Sequence, residues 1–217
     1  MMHYVFLNHL MHKPKWAIGE TRLRENEDVL AGEIDVLKWT PEPHLYQVIL
    51  EGKNVKLAGR VWAWQERNCR LYTADVIEAV IDIVPPYMLD KVGSGIAEIR
   101  AMAIGHSSSA SLKEARAGVA SFLHDFRAPS GDVADAVRAG LGNDWWMGLV
   151  KAAHRARTAR ALYVANAAYS AAEEALFPPR GNRYHESVLD EIWVSAKKAT
   201  YKAELFGQAE KLRQMLR

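Results

Sequence analysis

The stretch from Asp144 to Phe177 reads DWWMGLVKAAHRARTARALYVANAAYSAAEEALF, and its composition decides which fold the chain adopts. It follows a Gly-Asn turn, so Asp144 stands where a helix-capping residue is expected. Alanine, the strongest helix former, dominates the second half of the stretch. The proline pair Pro178-Pro179 follows and prevents the helix from continuing. The stretch therefore predicts one long helix.

The two halves of this predicted helix differ in charge. The first half carries a cluster of basic residues, namely Lys151, His154, Arg155, Arg157 and Arg160. The second half has no charged residue between Ala161 and Ala172. Because a helix that is apolar all round is normally enclosed by other helices, we expect the second half to be the buried centre of a helical bundle. The first half is expected to present its basic side to solvent.

Most of the remaining chain also has the apolar spacing of helices, starting at about Val55. A break is expected near Thr73. The pair Pro85-Pro86 is expected to end the first helical segment, because proline cannot donate a helix hydrogen bond. Ser111 and Glu114 have the spacing of a capping box, which predicts a helix start at Ser111. Further helices are predicted over residues 91–104, 133–141 and 184–216.

The first part of the chain, residues 1–57, carries β-strand signals instead. The segment HYVFLN is rich in β-forming residues, and GEIDVLKWT alternates between two faces. HLYQVIL follows the turn-like TPEP, and Glu51-Gly52-Lys53-Asn54 favours a turn after it. They predict a small antiparallel sheet. The expected fold is therefore mainly α, a multi-helix bundle with a central Ala-rich helix and a small N-terminal β element. Residues 58–217 are expected to form the helical domain, in one compact unit with the β-rich segment.

Length and composition limit the classes of protein to which the chain can belong. A chain of 217 residues, 49% of them hydrophobic, buries a sizeable core without needing disulfides or metal. Cys69 is the single cysteine, so no intrachain disulfide forms, which favours a reducing compartment. The net charge of +2 is too small by itself to indicate binding to nucleic acid or membrane. Neither a membrane span nor a signal peptide is recognisable, so we expect a cytoplasmic protein.

The sequence does not indicate a metal or cofactor site. His9 and His12 form the one close histidine pair, with His3 as a third candidate ligand, and we interpret them as ordinary histidines. The run Gly93-Ser94-Gly95 lacks the third glycine of a dinucleotide-binding loop and the Gly-Lys-Ser/Thr of a P-loop. We interpret it as a turn between helices. No metal and no cofactor are therefore predicted.

The spacing of reactive residues favours a non-enzymatic protein. Cys69 lies beside Arg70, which would lower a thiol pKa, but a lone helical cysteine is usually a small buried hydrophobe. The members of His124-Asp125 and of Glu173-Glu174 are adjacent in sequence, so within each pair they point to different faces of a helix. An enzyme whose site is assembled from distant residues, such as His154 and Glu173, stays an alternative.

The candidate binding surface is the basic half of the central helix. Its residues are Lys151, His154, Arg155, Arg157 and Arg160, together with Trp145. Tryptophan is favoured at protein-binding hot spots, whereas clustered basic residues can also contact phosphates. Binding of nucleic acid by this face is therefore a second alternative. The basic residues of the last helix alternate with acidic ones, which indicates a solvated, salt-bridged surface.

Four segments between about residues 62 and 176 resemble a known family. They are TADVIEAV from Thr73, IAEIRAMAIG from Ile96, SLKEARAGVASF from Ser111 and AAHRARTARALYVANAAYSAAEEA from Ala152. Their order is similar to that in helical bacterial immunity proteins, which are found near toxin or phage genes. The resemblance implies a non-catalytic protein, of immunity or phage–host accessory type, that neutralises a protein partner by binding it. It implies no particular site residue and no identity for the partner.

Overall fold

The computed structural model describes residues 3–7, 18–23, 44–60, 65–122, 129–176 and 186–215. These residues form strands, helices and a short 3₁₀ turn at Ile81–Ile83. The strands are β1 His3–Leu7, β2 Thr21–Leu23, β3 His44–Glu51 and β4 Asn54–Arg60. The helices are α1 Glu66–Glu78, α2 Pro86–Ala103, α3 Ser109–Ala120, α4 Pro129–Gly140, α5 Trp145–Leu176 and α6 Glu186–Met215. The predicted class is confirmed: a mainly helical fold with a small N-terminal sheet.

The N-terminal sheet is antiparallel, with the strand order β1-β3-β4-β2. The predicted turn after β3 is confirmed: Glu51 pairs with Asn54, and Gly52 has the positive φ of 62° that the tight turn requires. The expectation of helix from Val55 onward is wrong for β4. Val55 and Leu57 are buried on one side of this strand, so their spacing fits the strand period of two. The predicted strand GEIDVLKWT lies outside the described residues.

The first helix runs through the position of the expected break. The Thr73 hydroxyl donates to the Cys69 carbonyl at 2.7 Å, so this β-branched residue satisfies its polar group inside α1. Cys69 is fully buried, and burial raises the pKa of its thiol far above the ordinary range, which leaves an inert hydrophobe. The proline pair also has a different role: Pro86 is the first residue of α2, where a missing N–H costs nothing.

The N-cap of α3 lies three residues before the predicted N-cap, Ser111. Ser108 is the N-cap, and its hydroxyl accepts from the Ser111 N–H at 3.0 Å, while the Ser111 hydroxyl accepts from the Ser108 N–H at 3.0 Å. Ser111 is therefore the N3 residue of a capping box and not its N-cap. Its hydroxyl also donates to Glu98 Oε1 at 3.0 Å, which fixes the start of α3 against α2.

The central Ala-rich helix is α5, which contacts α1, α4 and α6. We expected the second half of α5 to be the buried one, and this is wrong, because the buried residues are concentrated in the first half. They are Gly148, Leu149, Ala152, Ala153, Ala156, Arg157, Ala159, Ala161 and Ala165. In the second half Tyr163 is 47% exposed and Leu176 is 50% exposed. Alanine favours the helix without requiring burial, so absence of charge did not indicate the core here.

Small residues set the distance between α4 and α5. A Cβ added at Gly148 would lie 2.6 Å from the Ala139 carbonyl oxygen, well inside van der Waals contact. A Cβ at Gly95 of α2 would likewise collide with the Val137 side chain of α4. The close approach of α4 to α5 thus depends on Gly148, and that of α4 to α2 depends on Gly95.

This packing predicts opposite effects of two glycine-to-alanine changes. Gly148→Ala should lower the free energy of unfolding by about 2 kcal/mol, because the backbone carbonyl it meets cannot move aside cheaply. Gly93→Ala, at a helical position with nothing within 4 Å of the new Cβ, should raise stability by about 0.5 kcal/mol. Urea denaturation of both variants measures this difference. Equal effects of the two changes would contradict the described α4–α5 packing.

Candidate functional site

A groove of about 570 Å³ runs between the end of α4 and the first three turns of α5. It is partly open to solvent. Its lining residues are Asp135, Arg138, Ala139, Gly142, Asn143, Asp144, Met147, Gly148, Lys151, His154 and Arg155. Three of the predicted binding residues, Lys151, His154 and Arg155, therefore meet at one site.

The groove is shaped by the turn that joins α4 to α5. Asp144 caps α5, because its carboxylate accepts from the Met147 N–H at 3.4 Å. Arg70 of α1 lies beneath the turn and donates to the carbonyls of Gly140 at 3.2 Å and Gly142 at 3.1 Å. Arg116 of α3 donates from Nε to the Leu141 carbonyl at 3.1 Å. Two arginines from other helices therefore hold the end of α4 and orient α5.

The acidic residues of α4 neutralise two of the arginines at the groove. Asp135 pairs with Arg155 of α5 at 2.8 Å and with Arg138 at 2.6 Å. Asp132, one turn earlier, pairs with Arg155 at 3.0 Å. Burial raises the pKa of Asp132, although Arg155 opposes this effect. Arg155 is thus a cross-link between α4 and α5, with little charge left for a ligand.

His154 lies at the groove edge that faces α6. Its Nδ1 is 3.0 Å from the Tyr201 hydroxyl, and the two rings meet edge to face at 6.0 Å. Burial lowers the pKa of His154, and the nearby charges of Arg157 and Arg155 lower it further. The imidazole is therefore neutral near pH 7 and acts as a hydrogen-bonding group between α5 and α6.

Lys151 differs from the other cations of the groove. Its side chain is exposed, and within the part of the chain that the structure describes it makes no ion pair or hydrogen bond. It lines the groove one turn before Arg155. Lys151 is consequently the groove cation that is available to an anionic group of a binding partner.

The other predicted binding residues lie away from the groove. Arg157 is 7% exposed, donates to Gln208 Oε1 at 2.7 Å and stacks over Tyr201 at 5.3 Å. Arg160 pairs with Asp82, with one N–O distance of 2.8 Å. Trp145 is half-buried and packs against the helical core. These three residues therefore do not form a common surface with Lys151.

Several groove residues were not found by sequence reasoning. Asp135, Arg138 and Met147 line the groove, but they belong to two helices whose crossing the sequence does not reveal. The signal that existed was the Asp135–Arg138 spacing of three residues, which favours an ion pair on one helix face. That spacing indicates an exposed helix surface and carries no information about the groove opposite.

Other candidate chemistry is not assembled among the described residues. No group of three or more histidine, cysteine, aspartate or glutamate side chains in them is placed to hold a metal ion. His9, His12 and the pair His124-Asp125 lie outside the described residues. Glu173 is 19 residues beyond His154 on α5, about 28 Å along the helix axis, so the two cannot share a site. None of the described helices combines the length and hydropathy of a membrane span.

The run Gly93-Ser94-Gly95 lies inside α2 and forms no turn between helices. Gly95 packs against Val137, which explains a glycine there without any phosphate.

Comparison of the chain with protein-family models, with curated proteins and with solved structures finds no match.

The lowered pKa of His154 predicts a pH-dependent stability. The unfolded chain binds a proton to this histidine at higher pH than the folded chain, so acidification from about pH 7 to about pH 5 favours unfolding. His154→Asn retains a polar atom near Nδ1 and should remove this part of the fall in the free energy of unfolding.

The measurement is urea denaturation of wild type and variant across that pH range. His106→Asn, an exposed change between α2 and α3, is the control and should leave the wild-type fall in place. Parallel stability curves for wild type and His154→Asn would contradict the described environment of His154.

Proposed function

We propose that the protein acts by binding a protein partner, without catalysing a reaction, and that the α4–α5 groove contacts that partner. The observation that carries this proposal is the position of Lys151. It is an exposed cation without an ion pair among the described residues, in an open groove where Asp135 pairs with the other two cations, Arg138 and Arg155. A partner carboxylate at Lys151 would supply the missing counter-charge.

The paired charges around Lys151 support recognition of a protein surface. Asp135 pairs with Arg138 within α4 and with Arg155 of α5, so these three residues form a polar rim of paired charges. Met147 and Ala139 provide apolar contact area in the same groove. An apolar floor with a polar rim is the usual anatomy of a protein–protein interface.

The geometry gives less support to catalysis. His154 is neutral, and its hydrogen-bond partner is the Tyr201 hydroxyl, while the nearby carboxylate of Asp132 is engaged by Arg155. In triad-type sites the histidine base is oriented by a carboxylate hydrogen-bonded to its second ring nitrogen. Among the described residues, the groove brings no such carboxylate to His154.

Binding of nucleic acid is also less well supported than binding of a protein. A phosphate-binding surface needs several free cations, because each neutralised phosphate contributes separately to affinity. Arg155 and Arg160 are engaged in ion pairs and Arg157 is buried. Lys151 alone of this basic cluster remains available.

The proposed activity is of the kind that the immunity-protein resemblance implies, namely neutralisation of a partner by binding. The single cysteine is buried as a thiol, which suits a reducing compartment, and we include a cytoplasmic location in the proposal.

Charge reversal at the groove tests the proposal. Tagged wild type, Lys151→Glu and Lys113→Glu are used for affinity capture from cells that produce the protein, after nuclease treatment. Lys113 is an exposed lysine of α3 and serves as the matched control. A protein retained by wild type and by Lys113→Glu should fall about tenfold with Lys151→Glu, because like charges across an interface repel.

Two outcomes would contradict the proposal. One is a captured protein that all three forms retain equally. The other is capture that disappears for every form after nuclease treatment, which would indicate a nucleic acid as the bound component. Circular dichroism of each variant verifies that the helical fold is kept.

A further inference from the structure

The outer half of the hairpin formed by α5 and α6 lies beyond the helical core. The core includes α5 side chains only as far as Ala159 and α6 side chains only from Leu205 onward. We define the outer hairpin as residues 162–176 of α5 and 186–200 of α6, about 22 Å of each helix. Among its described side chains only Ala165 and Leu189 are buried. Two helices that bury so little have weak packing of their own to stabilise them.

One face of the outer hairpin carries no charge. The hydrogen bond from Trp193 Nε1 to Asn166 Oδ1, at 2.9 Å, marks the opposite face. Val164 and Val188 each precede the buried residue of their helix by one position, a rotation of about 100° from it. Asn166 and Trp193 follow the buried residues and are rotated in the opposite sense, so the two valines lie on the other face of the hairpin. Helical spacing extends this uncharged face along both helices, through Val164, Ala168 and Ala171 of α5 and Val188, Ile192 and Ser195 of α6.

The uncharged face is accessible. Val188 is 41% exposed, and Ala171 and Ser195 are also exposed. Valine and isoleucine supply apolar area on this face, while alanine and serine allow another helix to approach closely. The face therefore has the shape and chemistry of a helix-packing surface.

Charges along the outer hairpin are separated by sign. The last residues of α5, 173–176, and the first residues of α6, 186–191, contain five acidic residues and no lysine or arginine, and we call them the tip. The exposed acidic residues are Glu173, Glu174, Asp190 and Glu191. Toward the base, Lys198 and Lys202 are exposed. The hairpin thus has an acidic end and a basic end.

We propose that the uncharged face binds the same face of a second copy of this chain, in an antiparallel arrangement. A two-fold axis in the plane of the interface, across the middle of α6, places Glu191 of each copy near Lys198 of the other, at the border of the uncharged face. A parallel arrangement would bring two acidic tips together. The pattern of charge is therefore self-complementary only for the antiparallel dimer.

The dimer completes the packing that the outer hairpin lacks. Four helices, two from each copy, form a bundle in which both uncharged faces leave water. Lys151 and the α4–α5 groove lie on the part of α5 that packs in the core, so the groove stays open to a different partner. Self-association is thus a property beyond the proposed function, and either can fail without the other.

Sedimentation equilibrium tests the dimer directly. Wild type should sediment at twice the chain mass of 24.4 kDa. Ala171→Glu places a charge on the uncharged face and should give the monomer, with helix content verified by circular dichroism. Ser170→Glu places the same charge on the exposed side that points away from this face, and it should remain dimeric.

A charge swap tests the antiparallel arrangement. Glu191→Lys and Lys198→Glu should each weaken self-association about tenfold, because each brings like charges together across the two-fold axis. The double variant restores opposite charges at both contacts and should regain the wild-type affinity. Should Ala171→Glu fail to fold, Ser195→Cys provides a neutral probe, and it should form a disulfide-linked dimer on oxidation far faster than Ser170→Cys. The native Cys69 is buried and does not compete.

Each of the following results overturns the proposal: a wild type that sediments at 24.4 kDa, an Ala171→Glu variant that still dimerises, or a double charge variant no tighter than the single ones. Equal rates of disulfide formation by Ser195→Cys and Ser170→Cys overturn it as well.

Discussion

Arg70 is the residue on which the geometry of the α4–α5 connection depends. It extends from α1 with 3% of its surface exposed, and its guanidinium reaches the carbonyls of Gly140 and Gly142. Those carbonyls lie at the negative end of the α4 dipole and have no helical partners, so a buried cation there is both hydrogen-bonded and electrostatically favoured. Glu66 completes its pairing at 2.8 Å. Because only four residues separate α4 from α5, Arg70 also sets where the groove and Lys151 lie.

A second buried arginine fixes α6 against α5. Arg157 donates to the Gln208 side chain, whose amide in turn donates to the Ala153 carbonyl at 3.3 Å. The Tyr72 hydroxyl of α1 donates to the Gln208 backbone carbonyl. Burial raises the pKa of Tyr72 well above its ordinary range, which keeps it protonated as a donor. Buried polar groups need such partners, so this network permits one register of α6 on its neighbours and leaves the outer hairpin projecting.

Local signals in the sequence predicted the local structure well. The strand segments HYVFLN and HLYQVIL, the turn at Gly52, the cap at Asp144 and the long helix α5 all depend on residues near one another in the chain. The errors arose where contacts between distant residues determine the secondary structure or the burial of a segment. Val55 and Leu57 fit either period until the partner strand is known, and alanine in the second half of α5 indicated helix but not burial.

The site was less predictable than the fold for the same reason. Lys151, His154 and Arg155 were identified because they lie on one helix, but their different roles depend on Asp132 and Tyr201 of other helices. Arg157 belongs to the same basic run, yet its partner Gln208 is 51 residues away, and that contact buries it. Residues that form one basic cluster in the sequence therefore have different roles in the structure. Arg155 links α4 to α5, His154 contacts α6, Arg157 is buried, and Lys151 is left without an ion pair among the described residues.

The dependence of the α4–α5 connection on Arg70 is tested most directly by the free energy of unfolding of Arg70→Met, measured by urea denaturation beside Arg67→Met. Arg67 is exposed on the same helix and controls for loss of a positive charge. Arg70→Met leaves the Gly140 and Gly142 carbonyls without their arginine donor and should lower stability by about 3 kcal/mol, whereas Arg67→Met should change it by less than about 0.5 kcal/mol. Equal and small effects of the two substitutions would contradict the role assigned to Arg70.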